Sequence, residues 1–97
     1  MSTRHELPWP LIQSDVLSAI DACNEQRPFV STKKVAYHIF ENMSDYPSLT
    51  SGIKLMTKER AVKSRISMSL EKLGWSRFSS HSAPSGNVVY IDPRYNP

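Results

Sequence analysis

Residues 57–75, TKERAVKSRISMSLEKLGW, read as one amphipathic helix with both ends written locally. At about 100° per residue, Val62, Ile66, Ser69, Leu70 and Leu73 fall on one face and Arg60, Ser64, Ser67 and Glu71 fall opposite. Thr57 can serve as N-cap, and Glu59 suits the positive end of the helix dipole. Gly74, directly after Leu73, can take the left-handed conformation that closes a helix. The N-terminal half holds Lys58, Arg60, Lys63 and Arg65 against the single acid Glu59, so the face turned from the core is basic and rich in hydroxyls. Such a face suits phosphate. Met68 lies between the two faces, either an exposed apolar contact or packed on the preceding loop.

Outward from this helix, the rest of the chain falls into short elements. Residues 1–10 read as an arm anchored by Leu7 and Trp9, with Pro10 suited to the first turn of a helix. Residues 11–24 form a first helix with Ile12, Val16, Ala19, Ile20 and Cys23 on one face, and Asp15, Asp21 and Glu25 dispersed on its polar side. Phe29 and Val30 make an extended stub before Ser31 and Thr32, either of which can cap a second helix over 31–43. That helix turns Val35, Ala36, Ile39, Phe40 and Met43 inward and Lys33, Lys34 and His38 toward solvent. Lys33 and Lys34 sit where cations oppose the helix dipole, which hints at phosphate binding.

Residues 44–56, SDYPSLTSGIKLM, are broken by Pro47 and Gly52 and read as a long irregular loop. After Gly74 the pattern becomes strand-like: residues 75–80, then the β-favouring run Val88, Val89, Tyr90 and Ile91, joined by Pro84, Gly86 and Asn87 in a turn. Trp75 follows the helix stop and is placed to seal this hairpin against the third helix. The prolines of 93–97 cannot continue a strand, so the domain spans 11–92 with a short tail.

Composition bounds the chemistry. The 97 residues allow one small domain. Twelve Lys and Arg against nine Asp and Glu, a net charge of +3, favour an acidic partner. The single cysteine, Cys23, excludes an internal disulfide framework and points to a reducing compartment. No signal-peptide pattern opens the sequence, and no apolar run approaches the roughly 20 residues that span a bilayer, so the expected location is intracellular with no membrane contact. His5, His38, His81 and Cys23 lack metal-ligand spacing, and no phosphate loop, nucleophile elbow or paired-acid constellation is present. Neither enzyme chemistry, a cofactor nor a metal is expected.

Helix, stub, helix, helix, then a two-stranded hairpin is an α+β order that resembles the winged-helix DNA-binding superfamily across residues 11–92. The part that carries the resemblance best is RISMSLEKLGWSRF, residues 65–78, where a basic amphipathic helix ends in Leu-Gly and an aromatic-basic strand follows. It is similar, more distantly, to winged-helix modules of phage-type primase-helicases. The resemblance implies a three-helix bundle with a two-stranded β-wing that binds double-stranded DNA in transcription regulation or in replication and mobile-element transactions. On that reading the helix at 57–73 enters the major groove with Arg60, Lys63, Ser64 and Ser67, and Lys58 lies near the phosphates. The wing, 75–91, brings Arg77, Ser79, His81 and Asn87 to the backbone or minor groove. The 44–56 connection is longer than a tight helix-turn-helix turn. An alternative keeps the fold but binds a protein partner through Tyr46, Leu49 and Ile53 of that connection, because winged helices serve both roles.

Overall fold

A computed structural model describes residues 7–23, 27–53, 55–78 and 88–95, with only the backbone described at Leu55. Helix α1 runs Trp9–Cys23, strand β1 Phe29–Ser31, helix α2 Thr32–Glu41, the short helix α3 Pro47–Thr50, helix α4 Lys58–Lys72, and strands β2 and β3 Ser76–Arg77 and Val89–Ile91. One-turn 3₁₀ segments, Met43–Asp45 and Leu55–Thr57, flank α3. The class is α+β, as expected. The helical stripes bury as their periodicity requires: Ile12, Val16, Ala19 and Ile20 from α1, Val35, Ala36 and Ile39 from α2, and Val62, Ile66, Ser69 and Leu70 from α4. Cys23 and Phe40 pack partly buried against this core. The Ser69 hydroxyl, fully buried, has no hydrogen-bond partner among the described residues.

Local signals at the helix ends hold in part. Ser31 caps α2 by accepting the Lys34 backbone N–H at 3.3 Å, and Gly74 takes φ 85° after α4. Thr57 occupies the N-cap position of α4, but its side chain makes no capping hydrogen bond. Leu73, expected on the inward stripe, is 39% exposed, because the helix closes at Lys72 and Leu73 already belongs to the turn. The arm is shorter than expected, since Trp9 and Pro10 are already helical.

The 44–56 segment departs most from expectation. Its apolar residues turn mostly inward: Tyr46 and Leu49 are core residues and Ile53 packs partly buried beside them, while Met56 is 96% exposed. The surface proposed for a protein partner through Tyr46, Leu49 and Ile53 is therefore directed inward. Four residues cannot hold a helix unaided, and two other helices clamp α3 at its ends. Asp15 of α1 accepts the Ser48 and Leu49 backbone N–H groups, both at 3.0 Å, through one carboxylate oxygen. Arg65 of α4 donates to the Leu49 and Ser51 carbonyls at 2.9 and 2.8 Å. Burial pushes the Arg65 pKa down. Tyr46 completes the fixture, its hydroxyl 2.8 Å from His38 Nε2. Asp15→Ala removes the acceptor for two helix-terminal donors, and we expect a loss of about 2 kcal/mol in urea denaturation. A change under about 0.5 kcal/mol, the scale of an ordinary surface substitution, would mean that the carboxylate does not hold α3.

The wing is also more than a hairpin. The expected stub at Phe29 and Val30 is a strand, β1, paired antiparallel with β3 in the register Phe29 with Ile91 and Ser31 with Val89. Strand β2 pairs with the other edge of β3, so the described strands form one sheet in the order β1-β3-β2 instead of a two-stranded wing. The inward pleat of this sheet puts Val30 and Tyr90 in the core, and Trp75, 8% exposed, closes the junction with α4. Arg94, just past the expected end of the domain, bonds both Asp92 and Asp21. No described helix is long and apolar enough to cross a membrane.

Candidate nucleic-acid interface

The candidate surface is built on α4. Its inward stripe anchors the helix on α1, α2 and α3, which leaves Arg60 and Ser64 exposed on the opposite side, with Ser67 half-buried beside them. Lys63 is held differently: its ammonium donates to Glu59 Oε2 at 2.9 Å, an (i, i+4) pair along the helix. This hydrogen bond, the Lys63 charge and the charge of Lys33 keep the Glu59 carboxyl below its usual range. Lys33 belongs to the first turn of α2, so α2 contributes to the electrostatic field at the start of α4. Met56, Thr57, Glu59, Arg60 and Lys63 line an open depression of about 430 Å³ there. Lys58 lies 5.2 Å from the centroid of the Phe40 ring, a cation–π contact that joins the two helices.

The cations divide by what they face. Arg60 makes no ion pair with a described residue, and the Lys34 side chain is exposed. Arg77, expected to reach DNA from the wing, donates to Glu71 at 3.0 Å, and its guanidinium lies 6.0 Å from the Tyr90 ring centroid. The Tyr90 hydroxyl donates to the same Glu71 oxygen at 2.8 Å. The Tyr90 and Arg77 hydrogen bonds draw the Glu71 carboxyl below its usual range. Arg77 thus ties β2 to α4 and cancels an acid on the exposed stripe. Ser79, His81 and Asn87 lie outside the described residues.

The structure therefore brings Lys58, Arg60, Lys63 and Ser64 together on the first half of α4, with Lys33 of α2 contributing through its charge, and it sets Arg77 apart in a pair. Sequence reasoning had counted Arg65 among the basic residues of the helix and Asp15 among dispersed acids, yet both hold α3. No spacing rule pairs Asp15 with residues 33 and 34 positions away. Among the described residues, no group of three His, Cys, Asp or Glu side chains stands close enough to hold a metal ion.

No protein-family model, curated protein or solved structure matches this chain.

Proposed function

We propose that this chain is a winged-helix module that binds double-stranded DNA, with α4 in the major groove, serving transcription regulation or replication and mobile-element DNA transactions. The observation that carries the reading is the exposed Arg60, without an ion-pair partner among the described residues, beside Lys58 and the Glu59-bound Lys63 in the first turns of α4. The start of α4 thereby offers cations, backbone N–H groups and hydroxyls on one side, the combination that binds a phosphate backbone while a helix face reads base edges. The element order supports the same reading: three long helices, then β2 and β3 directly after α4. The protein-interaction alternative had placed its contact on Tyr46, Leu49 and Ile53, and the burial of Tyr46 and Leu49 removes that support.

The test is fluorescence anisotropy on a labelled random-sequence duplex at about 50 and 200 mM salt. If about four phosphates are neutralised, log affinity falls with log salt at a slope near −3.6, which is about 150-fold over that range. Arg60→Glu should weaken binding by at least about fivefold, since one well-placed arginine contributes about 1–3 kcal/mol. Absence of binding at the lower salt, or binding indifferent to Arg60→Glu, sinks the reading.

A further inference from the structure

The outward stripe of α4 carries one residue that its solvated surroundings do not account for. Met68 is 45% exposed in the free protein, flanked by Ser64, Ser67 and the Arg77-bound Glu71. The Ser64 hydroxyl donates to the Met68 sulfur at 3.8 Å, which holds the thioether along the helix surface on the Arg60 side. Arg60, Ser64 and Met68 are spaced (i, i+4, i+8), so they form one row. An apolar side chain in such a row gains only if its partner offers an apolar group. The floor of the major groove offers the C5-methyl of thymine, and it also offers guanine O6 and N7 as the acceptors that suit arginine.

We infer that the outward row of α4 reads DNA sequence at both ends, with Arg60 on a guanine edge and Met68 on the C5-methyl of a thymine. Eight residues of helix span about 12 Å, so the two bases stand about three to four base pairs apart at about 3.4 Å per step. The flexible, polarizable thioether suits a methyl contact whose geometry shifts with groove shape. Ser64, between them, bonds either a base edge or a phosphate and carries little discrimination of its own. This inference rests on the DNA-binding reading and specifies what that surface recognises.

The experiment begins with selection of bound duplexes from a random pool by the wild-type protein, which should return a guanine and a thymine at that separation. Each thymine of the selected site is then replaced by uracil, which deletes the methyl and keeps base pairing. At one position the wild type should bind the uracil duplex about fourfold more weakly, the value of one buried methyl-sized group. Met68→Ala should bind thymine and uracil duplexes equally at that position, and Met68→Leu should restore the preference. Thermal melting of both variants confirms that the half-exposed site tolerates the changes. A selected site without such a thymine, uniform wild-type affinity for thymine and uracil at every position, or discrimination that survives in Met68→Ala overturns the inference while leaving DNA binding intact. Failure to bind any duplex overturns the DNA-binding reading itself.

Discussion

Leu49→Ala is expected to lower the free energy of unfolding by about 3 kcal/mol, within the range of about 2–5 kcal/mol for truncating a fully buried leucine. Leu49 is completely buried, in a segment whose sequence looks like a surface connection. Its helix is held by Asp15 at one end and Arg65 at the other, so the backbone cannot readily collapse into the space left by the missing carbons. A domain of this size has about 5–15 kcal/mol in total, and each kcal/mol shifts the melting point by about 4–8 °C. The fall in melting temperature should therefore be about 12–24 °C. Leu49→Ser should be worse, because a hydroxyl is then buried where a hydrocarbon was. A melting point unchanged in either variant would show that α3 is not packed in the core. Such variants also cannot be used to probe a partner surface, since loss of function would follow from loss of folding.

Arg94→Ala is expected to cost about 2 kcal/mol at neutral pH, with a pH signature that identifies the cause. Asp92 is 2% exposed, and Arg94 donates to it from its backbone N–H at 2.8 Å, Nε at 3.0 Å and Nη2 at 2.9 Å. Burial pushes the Asp92 carboxyl up, but these bonds and the charges of Arg94 and Arg27 more than offset it, so the carboxyl lies below its usual value. Removing one partner of a fully buried pair costs about 3–5 kcal/mol. The Arg94 side chain is 40% exposed, so solvent screening reduces the figure. With the folded value depressed, Asp92 stabilises the wild type fully above its unfolded pKa of about 3.9, and that contribution is lost as pH falls through the folded value. The variant has lost the side-chain part of it, so the gap between the two proteins should be widest near neutrality and close in acid. Guanidinium denaturation at about pH 7, 5 and 3 measures the gap against the reference value near 3.9. A gap independent of pH would assign the loss to the contact of Arg94 with the Trp75 ring, 5.4 Å to its centroid.

What was legible in the sequence followed from interactions between near neighbours. The stripes of α1 and α4, the Ser31 cap and the Gly74 stop each arise within one or two helical turns, and all are present. The basic, hydroxyl-bearing side of α4 is likewise a matter of helical spacing. The expectation for Leu73 failed at the point where periodicity ends and a turn begins.

Among the expected site residues, the sequence showed which side chains share a helix face but not which charges meet across elements. Arg77 and Arg60 look alike in the chain, yet one is paired with Glu71 and the other makes no ion pair with a described residue. Lys33 and Glu59 lie on separate helices, and only packing brings one under the influence of the other.

By itself, then, the sequence determined the three long helices, their inward faces, the turn after α4 and the α+β class, because a period of 3.6 or 2 is a local property. Tertiary structure alone decided that Phe29–Ser31 joins Val89–Ile91 in a sheet, that Tyr46 and Leu49 belong to the core, and that Asp15 and Arg65 clamp α3. Segments of three or four residues are too short to carry a period, and their backbone groups and side chains find partners only when distant parts of the chain close over them.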